Sequence, residues 1–259
     1  MTEPIILAVD LGTSGMKVAL ITVSGKVLGW ETEPIQLIHT PDGGVEQSPD
    51  EWWGAFLSAS KRLIGKNQES AGRVRAVCCS TQGEGTVPVD KDGNALGNCI
   101  LWMDMRGASH LKKQLGGLIN IDGADIFKVL RFVSLTGGIP NLAGKDPAGH
   151  MLFIRDTKPE IYAKTHKFLN VLDYLNLRLT GEFVASFDSI VTSWVTDNRD
   201  PNELRYNNGL ISILGIDRTK LPDIVSCSSV IGSLKAEVAS ALGLSNDVKV
   251  IAGSIDNTA

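Results

Sequence analysis

The sequence predicts an α/β domain: a mixed sheet with flanking helices, interrupted by a long helical insertion. Three observations carry that prediction. The first forty residues read as three consecutive strands. A capped amphipathic helix and a short, continuously apolar run follow them. After a long helical, glycine-punctuated stretch, the chain returns to one more helix and one more apolar strand.

Ile5–Asp10 and Met16–Val23 flank the small-residue loop Gly12-Thr13-Ser14-Gly15. Ser24-Gly25 supplies a hairpin turn, and Val27–Ile38 continues the meander. Ser48-Pro49-Asp50-Glu51 is a helix start: Ser48 caps, Pro49 suits the first turn and Glu51 completes a capping box. Trp52, Trp53, Phe56, Leu57, Ala59, Ser60, Leu63 and Ile64 give that helix its apolar face, so the tryptophan pair reads as core packing. Val74–Cys79 suits a buried strand, and Thr86–Val89 with Ala95–Leu101 a second hairpin turned by Asp92-Gly93. From Gly107 to about Gly232 the pattern is helical and loop-rich. Asp146-Pro147 and Pro159 each start a helix, and Asp173–Thr180 ends at Gly181 in a C-terminal cap position. Thr136–Gly149 reads as a functional or connecting loop, Leu234–Leu242 as a short helix and Val248–Ala252 as a buried strand. This order is ribonuclease-H-like, the layered topology of each half of the actin-like ATPases. The core is expected at about 1–83 and 233–259, with the insertion at about 84–232.

Composition narrows the function classes. With 259 residues, 43% apolar and 21% charged, the chain can bury a substantial core. A net charge of −4 with no Lys/Arg block argues against a nucleic-acid partner. Met1 to Pro4 is too short and too acidic for a signal peptide, and no apolar run approaches membrane-spanning length, so no membrane role is expected. The four cysteines show no C-x-x-C spacing, and Cys78 and Cys79 lie within an apolar strand as small hydrophobes, which fits a reducing cytoplasm. The four histidines are scattered, so a structural metal site has little support.

Ala8 to Lys17, A-V-D-L-G-T-S-G-M-K, carries the most chemistry. A strand ending in Asp10 and turning through Gly12, Thr13 and Ser14 sets a carboxylate beside exposed backbone N–H groups and two hydroxyls. Such N–H groups form an anion-binding nest, and the carboxylate can hold a hard cation on the same phosphate. The same residues also make a good hairpin turn. The glycine spacing matches neither a Walker loop nor G-x-G-x-x-G.

Four further stretches fall in order behind it: Thr81-Gln82-Gly83-Glu84-Gly85; Leu101-Trp102-Met103-Asp104-Met105-Arg106; Lys167-Phe168-Leu169 with Asp173-Tyr174-Leu175 and Leu179-Thr180-Gly181-Glu182; and Ala252-Gly253-Ser254-Ile255-Asp256-Asn257. In this order the chain, from about Ile5 to its last residue, resembles the N-terminal domain of the FGGY carbohydrate kinases. The resemblance implies an ATP- and Mg²⁺-dependent phosphotransferase acting on a ketose or polyol. It makes Asp256 the general base for the sugar hydroxyl, although the residue alone also reads as a helix N-cap. It makes Asp10 the metal-and-phosphate aspartate, Gly12, Thr13 and Ser14 the first phosphate loop, and Lys17 a phosphate contact or a solvated strand residue. Gln82, Gly83 and Glu84 match the segment that touches sugar. Trp102 would stack on the sugar's apolar face, while Asp104 and Arg106 bind hydroxyls or each other.

Two departures stand out. Xylulokinase-like members carry Met-His, and glycerol-kinase-like members Arg-Glu, where this chain has Gly83-Glu84. Leu172 replaces a lysine common before the Asp-Tyr pair. A complete family member continues for about another domain, which carries most of the adenosine pocket. The chain is therefore expected to be the sugar-binding half, inactive alone, with the C-terminal nucleotide-binding domain as its partner and a homodimer left open. The competing readings are half of another actin-like ATPase and a stand-alone, non-catalytic sugar-binding module.

Overall fold

The computed structural model describes residues 3–200, 202, 203, 205–256 and 258. Six strands form the central sheet: β1 (Ile5–Gly12), β2 (Gly15–Thr22), β3 (Val27–Pro34), β4 (Val74–Thr81), β5 (Val230–Ser233) and β6 (Lys249–Ile255), in the spatial order β5-β6-β4-β1-β2-β3. The pairs β1–β2, β2–β3 and β5–β6 are antiparallel, whereas β1–β4 and β4–β6 are parallel. Alternation explains which face is covered. Ile5, Leu7, Val9 and Leu11 of β1 and Met16, Val18 and Leu20 of β2 are buried, and the residues between them point to the other face.

The buried face packs under α1 (Pro49–Lys66), α3 (Val171–Thr180) and α5 (Ala236–Leu242); α2 (Pro147–Thr157) and α4 (Phe187–Val191) lie in the intervening stretch. Ser48 caps α1 by accepting from the Glu51 N–H, as its sequence predicts. Trp52 is fully buried and meets the Tyr174 ring edge-on at 6.2 Å, which ties α1 to α3. Helix α3 falls within the stretch expected as insertion, yet its side chains join the sheet's own hydrophobic core. Val87, Val89, Cys99, Leu101 and Leu169 of the same stretch join that core too, and a second core, including Phe132, Met151, Leu152, Phe168, Ile190 and Leu210, holds much of the remainder together.

One sequence expectation changes and another gains outer neighbours. The third strand was expected to run to Ile38 but ends at Pro34, and only Ile38–His39 pairs again, with Val45–Gln47. Its partner β2 begins at Gly15, opposite Pro34, so beyond that pair only the Ile35 N–H still donates, to the Ser14 carbonyl. The expected hairpin 86–101 keeps its turn, in which Asp90 accepts from the N–H groups of Asp92 and Asn94. Its two arms pair antiparallel at Thr86–Ile100 and Val89–Ala95, and each also takes an outer partner: Val87–Val89 pairs with Lys167–Leu169, and Cys99–Ile100 with Val45–Gln47. Local turn chemistry thus fixed the reversal and the pairing of the two arms, and packing chose their outer neighbours. Among the described residues no helix is long and apolar enough to cross a membrane.

Candidate active site

Three parallel strands, β1, β4 and β6, end side by side, and ligands of open α/β sheets bind outside such carboxyl ends. Asp10, Ser80 and Ser254 are in register as one row across the three strands. Two positions further along β4 and β6 the chain carries Gln82 and Asp256. The Gln82 N–H donates to the Leu11 carbonyl, and the Asp256 N–H to the Thr81 carbonyl at 2.8 Å. A bulge in β6 between Ile251 and Ser254 sets this register. It depends on Gly253, whose φ is +73° and where a Cβ would lie 2.1 Å from the Cys79 carbonyl oxygen. No side chain fits there.

Beyond the strand ends lies a cavity of about 250 Å³ lined by Thr13, Gln82, Gly83, Glu84, Trp102 and Asp256. Five of these six come from the segments singled out as sugar-handling or catalytic; Thr13 comes from the loop matched to phosphate. Its wall is held by a closed hydrogen-bond ring. The Thr13 hydroxyl donates to Gln82 Oε1 at 3.0 Å, Gln82 Nε2 donates to Gln47 Oε1 at 2.8 Å, and Gln47 Nε2 donates to the Thr13 carbonyl at 2.7 Å. Trp52 Nε1 also donates to Gln47 Oε1, and Trp102 Nε1 reaches the Thr13 hydroxyl at 3.3 Å. Gln82 is 2% exposed, so it shapes the wall more than it offers free atoms. Thr13 and Ser14 are the two-residue turn between β1 and β2, and the Thr13 hydroxyl faces Gln82 and Trp102.

Glu84 occupies left-handed backbone at φ +57°, unusual for a residue with a side chain. Burial pushes its carboxyl pKa up, and the Asp146 charge adds to the rise. Asp256 is exposed at the cavity. The helix expected to begin at Asp256 lies outside the described residues.

Asp10 and Lys17 do not line this cavity. Lys17 Nζ is 3.0 Å from Asp10 Oδ2, and both sit with Ser80 and Ser254 at one end of a larger concavity of about 610 Å³ on the sheet's other face. The remainder of that concavity is mostly apolar, with Ala8, Ala19, Ile21, Val27, Trp30 and Cys78. Asp104 and Arg106 lie outside the cavity as well. Asp104 is fully buried and accepts from the Val45 N–H, while Arg106 pairs with Asp104, Glu46 and Asp42 at 2.8, 2.6 and 3.0 Å and stacks on Phe153. Of the two roles read for this pair, binding hydroxyls or binding each other, the structure displays the second. The beneficiary is the hairpin 38–47, which presents Gln47 to the cavity wall. His150, beside this network, is buried and held neutral, its pKa lowered to about 4 by burial.

Sequence reasoning missed Gln47, which follows no motif, and Asp173 and Asp188, whose partners are distant in the chain. In the sequence Asp173 stands only as part of the motif Asp173-Tyr174-Leu175. It is fully buried, and burial raises its pKa to about 7 while the Ser189 hydroxyl and Ser186 N–H oppose the rise. Cys79 is buried and its thiol is pushed well above the ordinary range, in keeping with a core role. Among the described residues no group of three His, Cys, Asp or Glu is placed to hold a metal by itself.

The family model for the N-terminal domain of the FGGY family of carbohydrate kinases matches residues 5–259. A xylulose kinase of Escherichia coli K12 is 30% identical over 254 residues, covering 98% of this chain and 48% of the relative. The structure of a gluconate kinase from Lactobacillus acidophilus superposes with a TM-score of 0.84 at 24% identity, over 99% of this chain and 49% of the other. That of a Plasmodium falciparum glycerol kinase, bound to ADP, gives the same TM-score, 0.84, at 19% identity over 98% and 49%. The chain therefore spans about half the length of the relatives it matches.

Proposed function

Because the chain belongs to the FGGY family of carbohydrate kinases, as its N-terminal domain, we propose that it is the sugar-binding half of an ATP-dependent kinase that phosphorylates a hydroxyl of a ketose or polyol. The observation that carries this reading is the single cavity at the parallel strand ends, where an exposed carboxylate, a half-buried carboxylate and an indole face one space. A ketose is favoured by the xylulose kinases among its relatives. The fold does not choose the sugar, since relatives named for gluconate and glycerol superpose equally well.

In this reading Glu84 accepts hydrogen bonds from sugar hydroxyls, Trp102 covers the apolar face of the ring or chain, and Gln82 keeps the wall in shape. Asp256 takes the proton from the attacking hydroxyl as its oxygen bonds to the γ-phosphorus and the bond from that phosphorus to the β–γ bridging oxygen breaks, so that ADP leaves. Gly12 and Ser14, with the exposed ammonium of Lys17, present donors to phosphate oxygens. Asp10 is the residue that would hold Mg²⁺. The donor set fits: a 42% exposed carboxylate in register with two serines offers hard oxygen ligands. Mg²⁺ commonly takes one or two protein carboxylates and completes its shell with substrate phosphates and water. Bound there, it would neutralise charge developing on the transferred phosphoryl group. The second half of the family's length is the proposed partner, supplying most of the nucleotide pocket, and the free cysteines suit a reducing cytoplasm.

The test is Asp256→Asn in the complete enzyme. Asparagine keeps the shape but cannot take the proton, so kcat should fall at least about a hundredfold while sugar affinity changes little. Near-wild-type turnover would remove Asp256 from the chemistry.

A further inference from the structure

We propose that Asp188, in the intervening helical stretch, is a positioning residue that holds the strand end bearing Asp256. The inference rests on the kinase reading above. Asp188 Oδ2 accepts from the Ile255 N–H at 2.7 Å and from the Thr258 hydroxyl at 2.6 Å. These donors flank Asp256 along the chain. The Asp256 N–H itself donates to the Thr81 carbonyl at 2.8 Å. The backbone around the base is thus pinned from two sides, by the sheet through Thr81 and by α4 through Asp188.

The clamp is anchored in turn. Asp173 on α3 accepts from the Ser186 N–H at 3.2 Å and from the Ser189 hydroxyl at 2.7 Å, and Asn170 Nδ2 donates to the Ser189 carbonyl at 2.6 Å. Both bracket Asp188 and fix the start of α4. The same helix α3 holds β6 directly, since Asn176 Nδ2 donates to the Ala252 carbonyl at 2.8 Å. One helix therefore sets both the clamp and the strand it grips. Hydrogen bonds to an ionised carboxylate are about twice as strong as neutral ones, which suits a tether on an exposed strand end. A displacement of about 1 Å at a reacting group can cost on the order of a hundredfold in rate. Asp188 should therefore act on turnover through the placement of Asp256, without touching substrate.

Three variants of the complete enzyme test this, with amide hydrogen exchange at Ile255 measured in parallel on the 259-residue chain. Asp188→Ala should lower kcat at least about tenfold and leave the sugar KM within about twofold, with faster exchange at Ile255. Asp188→Asn keeps an acceptor oxygen and should recover most of both losses. If the alanine variant does not fold, Asp188→Ser, which suits a helix's first turn but is too short to reach Ile255, carries the same expectation. Full turnover by the alanine or serine variant, or unchanged exchange at Ile255, overturns the proposal. Asp256→Asn separates the two readings. An inactive Asp256→Asn beside a fully active Asp188→Ala ends the clamp alone, whereas an active Asp256→Asn ends the kinase assignment of the base.

Discussion

Glu84 joins three unusual properties at one residue: left-handed backbone, partial burial and a carboxyl pKa raised by that burial. Strain of about 1–3 kcal/mol persists only where the surroundings over-determine it, and such residues cluster at ligand sites. A carboxylate that accepts from sugar hydroxyls also discriminates against deoxy analogues, because losing the hydroxyl leaves a charged acceptor unpaired. In the complete enzyme, Glu84→Gln should lower kcat/KM for the sugar about tenfold or more and leave the KM for ATP nearly unchanged; an equal effect on both would assign Glu84 a structural role. The pH dependence has a definite sign. With the pKa raised, Glu84 takes up its proton at higher pH than a free glutamate. Sugar affinity should therefore be full near neutrality, weaken as pH falls through that raised value, and show a flatter profile in Glu84→Gln. Calorimetric titration across pH 4–8 checks this.

At the scale of elements, the cavity wall depends on a hairpin that the motifs did not mark. Residues 38–47 carry Gln47 to the wall, and Arg106 fastens that hairpin to the 99–106 segment through Glu46, Asp42 and Asp104. Asp104 and Glu46 are buried, so removing the guanidinium strands two carboxylates away from water. Breaking such a pair commonly costs about 3–5 kcal/mol. Arg106→Met should destabilise by about that amount in urea unfolding, whereas a pure substrate contact would leave stability nearly unchanged and raise KM alone. The Asp104–Arg106 motif was legible in the sequence, but its partners were not, because Asp42 and Glu46 lie some sixty positions away in the chain.

At the scale of the molecule, the function proposed above gives this chain one wall of the site. Closing a second domain over substrate excludes water and completes the catalytic set. Calorimetry on the 259-residue chain should therefore detect only weak sugar binding and still weaker ATP binding. Tight, Mg²⁺-dependent ATP binding by this chain alone would contradict the division of labour proposed above.

The sequence by itself determined the strands β1, β2 and β4, the capped start of α1, the strand-loop-strand around Asp10, and the segments ending in Glu84 and Asp256. Each of these is written in neighbouring residues: alternation, capping chemistry, small turn residues, an apolar run ending in a polar one. Tertiary structure alone decided which of those residues share a cavity. It gathered Thr13, Glu84, Trp102 and Asp256, left Asp10 and Lys17 outside that cavity, and turned Asp104 and Arg106 inward. It also placed Asp188 on Ile255, a contact between residues 67 apart. Local preferences act over a few residues, whereas these pairings exist only after the parallel strands have been brought side by side by burial of their common face.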